Sequence, residues 1–230
     1  MREDRAGMRI RRLTLATIDP EAQAAFWGER LGLPVGWRDE DEVEVRLRDS
    51  TIAFRRAAPG LDPRYHFAIN LPPGSIGAAV EWMRERQELL AFHGDPVRSD
   101  VGAGCVYFLD AAGNVVELIS SPDLEGDPEP FGPGSLVEVG EIGIAATDPL
   151  AASKAVGELF GEGVFWGGGP GSDLIAVGDR HAVVIVAPVG RGWIPVGLPA
   201  RPLPTEIVAY GSEAREVTLP EGPYVLRVAG

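Results

Sequence analysis

Residues 15–33 read LATIDPEAQAAFWGERLGL, and the period of the sequence changes inside them. The stretch from Leu13 to Ile18 is rich in β-formers. Asp19 then offers a helix N-cap and Pro20 a first-turn residue. Ala22, Ala25, Phe26 and Leu31 supply a helical stripe that ends near Leu31. Next, EVEVRLR (42–48) alternates Val43, Val45 and Leu47 against Glu44, Arg46 and Arg48, the pattern of a half-buried strand, and STIAFRRA (50–57) reads as another. The unit is strand, helix, then several strands.

That order recurs. RYHFAINL (64–71) reads as a strand, and a helix follows with Ile76, Ala79, Val80 and Met83 on one face. GCVYFLD and NVVELIS form a hairpin around 111–114. A third unit opens at EIGIAATDPLAASKAVGELFG (141–161). When its Asp148-Pro149 is set against Asp19-Pro20, Ala16, Ala22, Gly28, Glu29 and Gly32 recur as Ala145, Ala151, Gly157, Glu158 and Gly161. SDLIAVGD and HAVVIVAP supply its strands. A fourth unit from TEIVAYGS onward has strands but little room for a helix. The expectation is an α+β chain of four βαβββ modules, the last truncated, in two tandem domains: 8–121, then a Pro-, Gly- and acid-rich linker over 122–136, then 137–230. Pairing modules 1 with 2, and 3 with 4, would cover the edges a single module leaves open.

The 230 residues carry a formal net charge of −13 and are 45% hydrophobic. A core is within reach, and so acidic a chain does not suit nucleic acid or an anionic membrane. The single cysteine, Cys105, excludes an intrachain disulfide framework. MREDRAGMRIRR lacks the apolar stretch of a secretory signal, and no membrane-spanning run occurs, so the expected location is the cytoplasm.

Two segments, LATIDPEAQAAFWGERLGL and YFLDAAGNVVELI (107–119), together with the module order, resemble the vicinal oxygen chelate superfamily. That superfamily includes glyoxalases, extradiol ring-cleaving dioxygenases, fosfomycin-modifying enzymes and bleomycin resistance proteins. The resemblance implies ligands on the first and last strands of paired modules, facing one cleft. Carried over, these positions are His66 and Glu117 in module 2, and Arg12 and Ala53 in module 1, with Arg55 two residues on. His66 and Glu117 are the implied metal ligands, for Fe, Ni, Zn or Mn, and Glu117 is also a candidate general base. Arg12 and Ala53 leave that set incomplete. Arg12 and Arg55 offer guanidinium forks to an anionic ligand, and Arg12 is a possible partner for Glu117.

In modules 3 and 4 the first-strand positions are Glu141 and Glu206, which could share a hard cation, while the last-strand position falls near the apolar Val184. The second domain reads as a structural partner. His93 reads as a loop residue able to reach the cleft mouth, His181 as a turn or strand-edge residue, and Cys105 as a core residue. WGGGPGSD (166–173) reads as a hairpin loop, and GRGWIPVGLPARPLP (190–204) as an extended connector anchored by Trp193. Two functions follow: a metal-dependent lyase or ring-cleaving dioxygenase acting on a small substrate with vicinal oxygens, or a metal-free protein, like the bleomycin resistance proteins, that binds a small anionic or aromatic molecule without catalysis. Monomer and homodimer both stay open.

Overall fold

A computed structural model describes residues 7–98, 104–126, 130–169, 172–211, 213–220 and 222–229. Parts of four stretches named above lie outside these residues: the N-terminal charged segment, the linker, the glycine-rich loop and the fourth unit. Module 1 comprises β1 (Ile10–Thr17), α1 (Pro20–Ala24), β2 (Val35–Trp37), β3 (Glu42–Arg46) and β4 (Thr51–Arg56). Module 2 comprises β5 (His66–Leu71), α2 (Ile76–Arg84), the two-residue strands β6 (Leu89–Leu90) and β7 (Val97–Arg98), β8 (Cys105–Leu109) and β9 (Val115–Ser120). Module 3 comprises β10 (Glu138–Ala146), α3 (Pro149–Phe160), β11 (Val164–Gly167), β12 (Ile175–Gly178) and β13 (Val183–Pro188). A small hairpin, β14 (Gly192–Trp193) and β15 (Leu198–Pro199), leads to module 4: β16 (Thr205–Tyr210), β17 (Arg215–Leu219) and β18 (Tyr224–Ala229). Among its described residues module 4 has no helix, as its length implied.

The repeated Asp-Pro has a repeated structural role. The Asp19 carboxylate accepts the Ala22 backbone N–H at 2.8 Å, and Asp148 accepts that of Ala151 at 3.0 Å, each with proline in the first turn. After Ala24 the first helix widens into π-turns over Ala25–Arg30. The change of pitch shifts the buried face. Phe26 and Trp27 go inward and Ala25 outward, which departs from the stripe read from the sequence. Trp27 then lies about 6 Å from the rings of Phe54, Phe67 and Phe108, so one aromatic cluster joins modules 1 and 2 beneath the sheet.

The module pairing differs from the expected one. β1 pairs parallel with β4 on one side and antiparallel with β16 on the other; β5 pairs parallel with β9 and antiparallel with β10. Module 1 thus joins module 4, and module 2 joins module 3. In each module the last strand covers one side of the first strand, leaving the other side to seek a partner. The stretch around 136–139 supplies that partner for β5. Leu136 and Val137 are buried, and Val137 donates its backbone N–H to Asn70 O at 2.9 Å. The end of the presumed linker is therefore continuous with β10. Two clefts result, one over modules 2 and 3 and one over modules 1 and 4.

Candidate metal centre

The register of three adjacent strands builds the first cleft. Ala68 on β5 lies opposite Glu117 on β9 and opposite Glu141 on β10. The three form a row across the sheet, with the small, fully buried Ala68 between two carboxylates. His66, two residues before Ala68, shares its face. One potential ligand atom each from His66, Glu117 and Glu141 lie within 4.8 Å of one another. The local twofold relation between modules repeats the geometry: Gly143, two residues after Glu141, lies opposite Ile185 on β13. Three of the four related positions are thus polar and the fourth is Ile185, not the neighbouring Val184, which packs into the main core.

His66 is 4% exposed, and its Nδ1 lies 3.2 Å from Val115 O. A carbonyl only accepts, so Nδ1 carries the proton and the Nε2 lone pair faces the carboxylates, 3.6 Å from Glu117 Oε2. Burial, which outweighs the Val115 bond, lowers the imidazole pKa to about 4 and keeps the ring neutral. Glu117, 5% exposed, is raised above the usual carboxylate range, chiefly by burial. The Cys105 thiol and the Tyr107 hydroxyl on β8, with Tyr107 opposite Glu117 in the register, and Arg98 lie near it and offset part of that penalty. Cys105 is buried as expected, but it supports the site. Glu141, partly exposed at the cavity wall, is raised well above its ordinary range by burial and by the charge of Glu117.

A neutral imidazole with its lone pair turned inward, beside two carboxylates that resist ionising together, suits a divalent cation. Among the described residues no guanidinium comes within salt-bridge distance of Glu117 or Glu141. The donors line a cavity of about 470 Å³, whose walls include Arg98, Arg191, Trp166 and Trp193. Trp193 is 4% exposed, and its ring centroid lies 5.2 Å from that of His66. Gly143 makes room for it, since a Cβ there would fall 2.6 Å from the indole. The connector is anchored by Trp193 as read from the sequence, and it also roofs this cavity.

Arg12 and Arg55 belong to the other cleft and do not approach Glu117. Arg12 donates to Glu42 at 2.6 Å and to Glu44 at 2.7 Å; Arg55 donates to Glu42 at 2.6 Å and lies 4.0 Å from Glu206. Arg227 bridges Glu206 and Glu216. Thr14, in the place of Ala68, lies opposite Ala53 and Glu206. In this cleft the four related positions are taken by Arg12, Ala53, Glu206 and Arg227, and their charged groups are closed by ion pairs. Glu141 and Glu206 accordingly sit in separate clefts and share no cation site. The cause is the module pairing. His93 is exposed, lies edge-on to Phe92 and does not line the cavity; His181, in the turn before β13, faces Glu138 with Nδ1 at 3.6 Å. The sequence reading missed Glu141 as the companion of His66 and Glu117, although the Asp-Pro echo marked its position. It also missed Arg98, Tyr107 and Arg191, which carry no motif.

No curated protein matches the sequence significantly. A family model described as "Glyoxalase-like domain" matches residues 12–119. Among solved structures, a putative dioxygenase from Bacillus subtilis is similar over 96% of this chain and 84% of its own, with a TM-score of 0.65 and 13% identity. Glyoxalase I from Zea mays is similar over 96% of this chain and 92% of its own, with a TM-score of 0.58 and 12% identity. At such identities the likeness concerns the fold. With its glyoxalase-like segment at 12–119 and paired modules along the whole chain, the protein has the fold of the vicinal oxygen chelate superfamily.

Proposed function

We propose that the protein is a metal-dependent enzyme of the vicinal oxygen chelate type, in which His66 Nε2 and the carboxylates of Glu117 and Glu141 hold one divalent ion. The observation that carries this reading is the convergence of these three donors within 4.8 Å on the floor of a cavity of small-molecule size. One nitrogen and two carboxylates suit Mn, Fe, Ni or Zn. A bound ion would supply a Lewis acid to the vicinal oxygens of a small substrate. The protein's own contributions are distinct. Val115 O fixes the tautomer of His66. The Cys105 thiol and Tyr107 hydroxyl beside Glu117 favour its ionised form. Glu141 is the carboxylate on the open side of the cavity, where a substrate would lie. Ile185, at the fourth position, leaves that side of the site to substrate. Isomerisation and ring cleavage are the two reaction classes to assay.

The test is titration calorimetry of chelator-treated protein with Mn²⁺, Ni²⁺, Zn²⁺ and, anaerobically, Fe²⁺, alongside His66→Ala and Glu117→Gln. One ion per wild-type chain and none in the variants is expected. Failure of all four ions to bind the wild type would overturn the metal reading and favour a metal-free binding protein.

A further inference from the structure

A groove away from the metal centre gathers arginines in a chain that is otherwise strongly acidic. Arg9 just before β1, Arg11 within it, Arg46 at the end of β3 and Arg48 in the turn to β4 line one recess of about 490 Å³. Against these four stand two acids, Asp49 and Glu138. Local structure aims the arginines there. The register of β1 against β16 shifts between Ile10 and Arg12, so Arg11 is the extra residue of a bulge and is turned out to solvent. Its guanidinium lies 5.8 Å from the ring centroid of Tyr210, the last residue of β16. Arg46 is exposed and lies opposite Thr51, which also lines the groove. Arg9 is anchored by a 2.7 Å bond to Glu138, which is 2% exposed.

The charges of the groove are not matched. Glu138 answers Arg9, and Asp49 answers Arg48. Among the described residues, Arg11, Arg46, Arg84 and Arg215 make no hydrogen bond or ion pair through their side chains, and two of these four line this groove. The chain has 34 acidic residues against 21 basic ones, so acidic partners are plentiful elsewhere on it. Gathering like charges without such partners is a standing electrostatic cost, which a bound anion removes. The recess is of small-molecule size, while the net charge of −13 on the whole chain repels extended polyanions. A phosphate monoester carries a charge of about −1.5 to −2 at neutral pH and three acceptor oxygens, which matches two unanswered guanidinium forks. The half-exposed Tyr210 ring offers a flat flank to the rest of such a molecule.

We propose that this groove is a second binding site for a small soluble molecule bearing a phosphate monoester. Arg11 and Arg46 bind the phosphate oxygens, Arg9 and Arg48 add to the positive field, and Tyr210 flanks the body of the ligand. The groove shares no lining residue with the metal cavity, so the two sites are independent of each other.

The experiment titrates phenyl phosphate and phenyl sulfate, at constant ionic strength and neutral pH, into chelator-treated protein, so that no metal competes for the anion. The two probes share a body and differ in charge. One phenyl phosphate per chain is expected, bound about 10-fold or more tightly than phenyl sulfate. Arg11→Gln and Arg46→Gln should each weaken it about 10-fold, the low end for one hydrogen bond to a charged group, with urea midpoints near that of wild type. Arg46→Lys should retain part of the affinity. Arg84→Gln, which removes an exposed arginine outside the groove, should leave it unchanged. Vesicles of phosphatidylcholine containing phosphatidate present the same monoester on a membrane and should leave the protein in the supernatant. Absence of phenyl phosphate binding, equal binding of phenyl sulfate, binding that survives both Arg11→Gln and Arg46→Gln, or an equal loss in Arg84→Gln overturns the proposal. Capture on the vesicles without binding of phenyl phosphate assigns the groove to a lipid surface and likewise overturns it.

Discussion

Replacing Glu141 by glutamine should change stability in opposite directions with and without metal. The ligand atoms of Glu117 and Glu141 lie within 4.8 Å. Two unit charges at that separation repel by about 3.5 kcal/mol at an effective dielectric constant of about 20. The metal-free protein bears this cost either as repulsion or by keeping a carboxyl protonated, as the raised proton affinity of both groups implies. A carboxyl raised in the folded state stabilises when protonated, and that contribution is lost as pH rises through its folded value. Glu141→Gln keeps the shape and removes the titration. Above the folded value the metal-free variant should therefore exceed wild type by about 2 kcal/mol, part of the Coulomb relief being spent on burying an amide. Below the ordinary value of 4.5, where the carboxyl is protonated in both folded and unfolded states, the difference should shrink below about 0.5 kcal/mol. Metal reverses the order. An ion at about 100 times its dissociation constant stabilises wild type by about 2.7 kcal/mol; a roughly 100-fold weaker site gains only about 0.4 kcal/mol at the same concentration. Urea unfolding at both pH values, with and without Zn²⁺, reads all four quantities. A metal-free variant less stable than wild type at the higher pH, or one that keeps the full Zn²⁺ shift, would refute the reasoning.

Other outcomes follow from single contacts. Tyr107→Phe removes the hydroxyl that favours the ionised form of Glu117 while keeping the ring, and should weaken metal affinity about 10-fold by calorimetry, the lower end for groups around a metal ligand. His66 has a folded pKa lowered from 6.5 to about 4, so the unfolded chain takes up a proton the folded state refuses. Stability should fall by up to about 3 kcal/mol as pH drops across that window, and His66→Gln should remove this component from the urea midpoints. Gly143→Ala would drive a methyl against Trp193 and should cost about 1–3 kcal/mol, with a change in tryptophan fluorescence. Arg12→Ala strips a cation from the buried Glu42, which retains Arg55, and should destabilise by about 2–3 kcal/mol in urea while Zn²⁺ affinity is unaffected.

Local chemistry was legible wherever backbone geometry dictated it. Asp19-Pro20 and Asp148-Pro149 read as helix starts because an N-cap oxygen and a proline each satisfy a local requirement. DAAGN read as a tight turn, and it is one: Asp110 accepts the backbone N–H groups of Ala112 and Asn114, with Gly113 at φ 77°. His66 and Glu117 could be placed together because they lie on neighbouring strands of one module. Glu141 could not be joined to them, because its place depends on which open edge each first strand seeks. Antiparallel pairing of β5 with β10 is a long-range choice, and alternation within either strand is the same under both pairings. The π-turns of the first helix escaped for a different reason: the widening is set by packing Trp27 among Phe54, Phe67 and Phe108.

The two clefts act as internal controls for each other. The same backbone arrangement presents four inward positions in each, and a carboxylate placed there needs a counter-charge. Over modules 1 and 4 the counter-charges are built in: Arg12 and Arg55 meet Glu42, and Arg227 meets Glu206. A cation there would have to displace guanidinium groups already hydrogen-bonded to their acids. Over modules 2 and 3 the two acids face a neutral imidazole, and each other, within 4.8 Å. Arg98 in the same wall offsets only part of the cost and forms no salt bridge to either among the described residues. Burying two such groups for structure alone would be a poor solution when the chain, a few strands away, neutralises its buried Glu42 with arginine. The unmatched pair is the arrangement expected where the counter-charge is a bound ion and where the ion must keep positions open to substrate. One ion per chain, bound over modules 2 and 3, is the calorimetric stoichiometry this contrast predicts.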